Sequence, residues 1–179
     1  MNAIILSVKP QWVAKILNGE KTIEIRKSVP KDFKGWVYIY CTKSRRALYD
    51  KCFANGELNI YKAYFLDDYG YTKPPVLNGK IVARFWFDEW EEVLTQHHID
   101  AEQYDRVVKL ALQGDYDLFD DYVGYREQVY AWHIKRLEIF DTPKELGEFE
   151  VERYAEMPNG IFPCNEPLTK APQSWQYIE

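Results

Sequence analysis

The sequence predicts an α+β domain in which short helices connect mostly antiparallel strands. Apolar residues alternate with polar or aromatic ones in residues 22–26 and 36–42, and this period of two is typical of half-buried strands. Residues 12–17 instead carry their apolar side chains at helical spacing. Strands separated by short helices in this way favour a small α+β barrel.

The beginning of the chain predicts a strand, a helix and a second strand in close succession. Residues 3–8 are apolar apart from Ser7, as in a buried strand. Pro10 suits the first turn of a helix, where its missing N–H costs nothing, and Gly19 suits the left-handed residue that ends the helix. Trp12 has two interpretations, a core residue or part of a ligand site, and its helical spacing favours the core.

The strand predicted at residues 36–42 has two different faces. They carry Val37, Ile39 and Cys41 on one side and Trp36, Tyr38, Tyr40 and Thr42 on the other. The aromatic side is either the second buried face of a barrel wall or a platform on which a base can stack, beside the basic loop that precedes it. The sequence leaves both interpretations open.

The rest of the chain predicts fewer elements. Residues 81–87 form a nearly continuous apolar strand, Asp100 caps a helix at residues 101–113, and residues 128–140 form one long strand. We interpret residues 115–122 as a surface turn and residues 142–145 as a capping box over one helical turn. The proline-rich tail is expected to be irregular up to a last strand at residues 174–178.

Length and composition indicate one globular domain, residues 1–179, with insertions at about 44–78 and 93–127. No apolar run approaches the roughly 18 residues of a membrane helix, and no secretory signal is visible, so we expect no membrane partner and a cytoplasmic location. The three cysteines and three histidines are too few and too dispersed for a disulfide framework or a metal site. No metal and no cofactor are expected.

Charge is distributed unevenly along the chain. Residues 1–46 carry ten basic and three acidic residues, a net charge of +7, whereas the remainder carries 13 basic and 25 acidic residues, a net charge of −12. A basic face attracts phosphate locally even though the whole chain has a net charge of −5. The acidic remainder disfavours long nucleic acids, so we expect a small anionic target.

The stretch from Gly19 to Lys27 belongs to the basic first part of the chain and contains a row of polar side chains. If Ile23 and Ile25 enter the core, then Thr22, Glu24 and Arg26 lie on the opposite face of the strand. Such a row can hold a polar ligand by charge-assisted hydrogen bonds, or it can be a solvated edge with an ordinary ion pair. Spacing alone favours the ion pair. In a regular strand Lys21 would lie on the same face as Ile23 and Ile25, towards the core. It reaches the polar face only if the chain bends before Thr22.

The same stretch resembles a known family. Ser7-Val8-Lys9-Pro10, the helix, and then Gly19-Glu20-Lys21-Thr22-Ile23-Glu24-Ile25-Arg26 resemble the ASCH domain, whose G-x-K-x-x-E-x-R pattern is matched at every fixed position. Tyr130-Ala131-Trp132-His133-Ile134 is similar to a strand that recurs in this family. The resemblance implies a PUA-like, mostly antiparallel β pseudobarrel with short helices and an inserted helical or irregular region.

The resemblance also implies chemistry. Some ASCH proteins bind RNA or nucleotides, some are ribonucleases, and one group hydrolyses N4-acetylcytidine with a lysine equivalent to Lys21, a threonine nucleophile at the position of Glu24 and a downstream glutamate. Residues 94–98 resemble the approach to that glutamate, which makes Glu102 its candidate here. Glu24 is a carboxylate where this chemistry uses a hydroxyl, so the sequence leans away from an enzyme.

The leading hypothesis is therefore an RNA- or nucleotide-binding ASCH module with a basic cleft beside the first helix. The alternatives are a hydrolase of a modified nucleoside, a ribonuclease that uses the same cleft, and a protein-interaction module built on the tyrosine-rich first insertion. The candidate ligand-binding residues are Lys9, Lys21, Glu24, Arg26, Tyr40 and Lys43. If the protein is an enzyme, the catalytic candidates are Lys21, Glu24 and Glu102.

Overall fold

The fold is known from a computed structural model that describes residues 3–54, 57–65, 76–96, 99–158 and 160–179. Its helices are α1 Pro10–Leu17, α2 Ala101–Leu112 and α3 Tyr116–Val123. Its strands are β1 Ala3–Val8, β2 Ile23–Arg26, β3 Gly35–Cys41, β4 Arg46–Ala54, β5 Glu57–Phe65, β6 Ile81–Phe87, β7 Trp90–Leu94, β8 Gln128–His133, β9 Lys135–Lys144, β10 Glu150–Met157, β11 Gly160–Pro167 and β12 Trp175–Ile178.

Two sheets and two hairpins organise these strands. The larger sheet has the order β12-β1-β3-β6-β9, and the smaller one has the order β2-β8-β7. The hairpins pair β4 with β5 and β10 with β11. Among these described strands only β1 and β3 pair in parallel, which confirms the predicted α+β class with mostly antiparallel strands.

The apolar first strand is buried on both faces. Ile4, Leu6 and Val8 pack into the main core, while Ala3 and Ile5 pack into a separate cluster on the other side of the sheet. This explains why the strand lacks the alternation of a half-exposed one. The first helix begins at Pro10 as predicted, and its buried side chains join the main core.

A second core lies between the smaller sheet and the two later helices. Ile23 and Ile25 of β2 pack there against apolar side chains of α2 and α3. Asp100 caps α2 by accepting hydrogen bonds from the N–H groups of Glu102 and Gln103, as predicted. The insertion around these helices is therefore a structural partner of β2.

Two elements in the middle of the chain differ from the sequence predictions. The long strand predicted at residues 128–140 is broken at Ile134, whose N–H donates to Thr22 O, and β8 and β9 belong to different sheets. Residues 116–123 form a helix instead of a turn, because Asp115 caps it and Phe119 and Val123 bury one side.

The tail is also more regular than predicted. Residues 150–167 form the β10–β11 hairpin, and the prolines of β11 are tolerated because a two-stranded sheet leaves one edge of each strand unpaired. The capping box forms at Glu145 and Glu148 around a short 3-10 turn, and residues 142–144 instead end β9. The last strand is confirmed as β12. No helix in the described ranges is long and apolar enough to cross a membrane.

Candidate functional site

A cavity of about 560 Å³ opens between the start of α1, strand β2 and helix α3. We call it the cleft. Its charged lining residues are Lys9, Lys21, Arg26, Lys27 and Glu24. Its aromatic lining residues are Trp12 and Tyr122. The volume lies in the range of small-molecule sites, which is roughly 300–1,000 Å³.

A chain of three buried charges forms one wall of the cleft. The Lys21 ammonium lies 3.3 Å from Glu24 Oε2, and Arg26 Nη2 lies 2.8 Å from Glu24 Oε1. Backbone carbonyls hold both ends, because Lys21 Nζ donates to Ala111 O at 2.8 Å and Arg26 Nη2 donates to Ser7 O at 2.7 Å. The three side chains are therefore fixed in position before any ligand binds.

The end of α1 explains how Lys21 reaches this wall. Gly19 has a φ of +74°, a conformation that costs glycine nothing, and the N–H groups of Glu20 and Lys21 both donate to Lys15 O. The chain bends there, and Lys21 lies before the first residue of β2. Its ammonium meets the last turn of α2, where free carbonyls favour a cation.

Burial sets the electrostatics of the cleft. Lys21 is only 3% exposed, and burial lowers the pKa of its ammonium although Glu24 opposes the shift. Burial therefore outweighs the stabilisation of the ammonium by the neighbouring carboxylate. Among the described residues the lining holds four basic groups and one carboxylate, so this part of the cleft carries excess positive charge.

Two buried polar atoms in this wall have no hydrogen-bond partner among the described residues. They are Glu24 Oε2 and Arg26 Nε. Glu24 Oε2 lies close enough to the Lys21 ammonium for an ion pair, but the two groups are not oriented for a hydrogen bond. Unsatisfied buried polar atoms are uncommon in folded proteins, and a bound water, ion or ligand group can complete their hydrogen bonding.

Aromatic side chains from two different elements line the cleft. Trp12 is half-buried near the start of α1, and the Lys21 ammonium lies 5.6 Å from its ring centroid. Tyr122 comes from α3, donates its hydroxyl to Ile25 O at 3.2 Å and has Lys27 over its ring. The core interpretation of Trp12 was therefore incomplete, because its ring also lines a cavity.

Four of the predicted site residues lie together, and the others do not join them. Lys9, Lys21, Glu24 and Arg26 all line the cleft. Tyr40 and Lys43 line a second cavity beside it, and Tyr40 is buried in an apolar cluster, which favours the barrel-wall interpretation of its strand.

Two further residues considered from the sequence lie away from the cleft. Thr22 is exposed and does not line it. Glu102 is exposed in the first turn of α2 and is likewise absent from the cleft wall. The solvated-edge interpretation of the polar row also fails, since Glu24 is only 6% exposed.

One wall of the cleft, contributed by α3, was not predicted from the sequence. Leu118 and Tyr122 reach the cleft from this helix. The signal that could have revealed it is the capping residue Asp115 followed by Phe119 and Val123 at helical spacing.

A second polar cluster lies outside the cleft. Glu91 contacts His133 at 2.6 Å and pairs with Arg106, whose hydrogen bonds lower the pKa of the Glu91 carboxyl to about 2. The described residues contain no group of three or more His, Cys, Asp or Glu side chains that could hold a metal ion. His97 and His98, and residues 66–75 of the tyrosine-rich insertion, lie outside the described ranges.

Comparisons with known proteins identify the fold. No protein-family model matches the chain, and no curated protein matches it in sequence. The crystal structure of ASCH from Zymomonas mobilis superposes with a TM-score of 0.59 at 14% identity, covering 99% of this chain and 88% of that one.

Two mutant structures of the same Zymomonas mobilis protein give the same result. One carries a serine-to-alanine change, with a TM-score of 0.59 at 13% identity, covering 99% of this chain and 89% of that one. The other carries a tyrosine-to-phenylalanine change, with a TM-score of 0.60 at 13% identity, covering 100% of this chain and 91% of that one. Identities this low establish a shared fold alone.

Proposed function

We propose that this chain, which has the ASCH fold that its sequence predicted, binds a nucleotide or a short segment of single-stranded RNA in the cleft. The observation that carries the proposal is the composition of the cleft wall. Four basic groups and one buried carboxylate line the same cavity as two aromatic rings. Phosphate, base edge and base face each have a matching group there.

The charge of the cleft favours an anionic ligand. Lys9 and Lys27 are exposed at the cleft and form no ion pair with any described residue. Lys21 and Arg26 share the single carboxylate of Glu24. A phosphate at this opening would offset the excess positive charge without displacing an existing pair.

The buried wall favours a nucleobase in the interior. Glu24 Oε2 lies 3.3 Å from the Lys21 ammonium but accepts no hydrogen bond from a described residue, so it would accept from an exocyclic amine or ring N–H, as carboxylates accept from cytosine N4. Lys21 and Arg26 supply donors for base carbonyls on either side of it. The Trp12 ring offers an aromatic face for stacking, which is common in recognition of single-stranded nucleic acid.

Calorimetric titration with ribonucleoside 5′-monophosphates at two salt concentrations tests the proposal. The double variant Lys9→Ala, Lys27→Ala should weaken binding about tenfold and flatten its salt dependence. The matched control is Lys34→Ala, which removes an exposed lysine outside the cleft. Equal weakening by the control, or salt-independent binding, would contradict a phosphate-binding cleft.

One observation favours hydrolysis in the same cleft as a second candidate. Burial lowers the pKa of Lys21, so a larger fraction of its side chain than in an exposed lysine is the neutral amine that can accept a proton. Against this, Glu24 supplies a carboxylate where the related hydrolases use a hydroxyl nucleophile, and Arg26 is paired with it.

Product analysis separates the two candidates. We expect negligible conversion of N4-acetylcytidine to cytidine by the unmodified protein, and no cleavage of short RNA, with Lys21→Met as the control. Turnover by the unmodified protein that is lost in Lys21→Met would show that the cleft is a catalytic site and would contradict a function limited to binding.

A further inference from the structure

A second cavity, of about 670 Å³, lies directly beside the cleft. Ser7 and Thr42 line both cavities. The two residues lie near each other on neighbouring strands. Ser7 of β1 pairs with Tyr40 of β3 in parallel register, and the N–H of Thr42, just after β3, donates to Val8 O. The two cavities therefore meet at the ends of two neighbouring strands.

The same two chain segments continue along both cavities. On one side Thr42 belongs to both linings and Lys43 to the second cavity. On the other side residues 168–172 line the second cavity, and residues 173–174 line the cleft. Ser7 ties this second segment to the sheet, because its hydroxyl donates to Pro172 O at 2.6 Å and its N–H donates to Ser174 O at 2.8 Å. The two cavities therefore share Ser7 and Thr42 and are bordered by the same two chain segments, and together we call them the groove.

The second cavity also carries unpaired positive charge. Lys43 and Lys170 line it, are exposed, and form no ion pair with any described residue. The one carboxylate among the described lining residues, that of Glu145, already lies 2.9 Å from Lys80 Nζ. Lys43 and Lys170 are therefore available to an anion that enters the groove.

We propose that the second cavity binds a second phosphate of the ligand whose base lies in the cleft. This rests on the function proposed above. The ligand is then a 3′,5′-linked nucleotide segment instead of a single nucleotide, with one phosphate near Lys9 and the next between Lys43 and Lys170. The chain crosses from one cavity to the other over Ser7 and Thr42.

Titration of ribonucleoside 5′-monophosphates against the matching 3′,5′-bisphosphates tests this subsite. The unmodified protein should bind the bisphosphate of its preferred base about tenfold more tightly than the monophosphate. In the double variant Lys43→Ala, Lys170→Ala that ratio should fall to about one. The control variant Lys34→Ala, Lys109→Ala removes two exposed lysines that line neither cavity and should keep the ratio.

The outcomes separate this inference from the proposed function. Equal affinity for both ligands in the unmodified protein, or a ratio that survives the Lys43 and Lys170 changes, would overturn the second subsite and leave nucleotide binding in the cleft intact. A lack of binding by any of the nucleotides would overturn the proposed function, and the second subsite with it.

Discussion

Lys21 Nζ lies 3.3 Å from Glu24 Oε2, and both side chains are almost completely buried. An ion pair in such a place is held by the fold, since the ammonium also donates to Ala111 O in the last turn of α2. The pair therefore joins the inserted helix to the strand that follows α1. It shapes the cleft and contributes to stability at the same time. Variants of either residue are therefore measured for both ligand binding and the free energy of unfolding.

Loss of the Glu24 charge should destabilise the protein. Glu24→Gln leaves Lys21 and Arg26 buried without their shared carboxylate, and breaking a buried ion pair costs about 3 kcal/mol or more. Urea denaturation measures the free energy of unfolding of the variant and of the unmodified protein. The control Glu138→Gln breaks a partly exposed pair with Arg84 and should cost about 1 kcal/mol or less. Equal costs would mean that the Glu24 network does not support the fold.

The buried lysine should make stability depend on alkaline pH. Burial lowers the pKa of Lys21 below 10.5 in the folded protein, so between the two pKa values the unfolded chain binds more protons. The contribution of Lys21 to the free energy of unfolding is then least favourable below the folded pKa and becomes more favourable as the pH rises towards 10.5.

The variant Lys21→Met isolates this effect, because other titrating groups cancel in the comparison. The free energy of unfolding of the unmodified protein minus that of Lys21→Met should increase from neutral pH to 10.5. A difference that stays constant or falls over this interval would show that the folded protein does not depress the pKa of Lys21.

The sequence predicted one half of the cleft and not the other. The strand β1, the helix from Pro10, the turn at Gly19 and the alternation of β2 are all local signals, and they bring Lys9, Lys21, Glu24 and Arg26 to one wall. The opposite wall depends on a contact between residues about ninety positions apart, Lys21 and Ala111, for which the sequence contains no periodic signal.

Burial of the charged row was not predictable for the same reason. The alternation in residues 22–26 says which side chains share a face, but it does not say that the face of Glu24 and Arg26 also turns towards the rest of the fold. Arg26 donates to Ser7 O there, and Trp132, the cross-strand partner of Glu24, belongs to the main core. The exposed-edge interpretation followed from β2 alone and failed because both faces of this strand are covered.

The inserted helix α3 should set the size of the cleft. Leu118 is exposed and lines the cleft from α3, so Leu118→Trp adds bulk inside it and should weaken nucleotide binding about tenfold. Leu110→Trp is the matched control, since Leu110 is similarly exposed on α2 and does not line the cleft. Similar binding by the two variants in calorimetry would exclude α3 from the binding wall.

Stacking on Trp12 should provide a large part of the affinity. Trp12→Leu should weaken nucleotide binding by about 1–3 kcal/mol, the usual contribution of base stacking on an aromatic side chain. Trp90→Leu is the control, because Trp90 is half-buried and lines neither cavity. Circular dichroism melts of both variants check that the loss comes from binding. Unchanged affinity in Trp12→Leu would show that the ligand does not stack on Trp12.

The location of the ligand is tested most directly by the indole N–H signals of the six tryptophans in a ¹⁵N-labelled sample. Single Trp→Phe variants assign the signals of Trp12, Trp36 and Trp86. On titration with the preferred nucleotide, Trp12 should shift in a saturable way, while Trp36 and Trp86, which pack against each other away from the cleft, should stay in place. A saturable shift of Trp36 or Trp86 with Trp12 unmoved would contradict binding in the cleft.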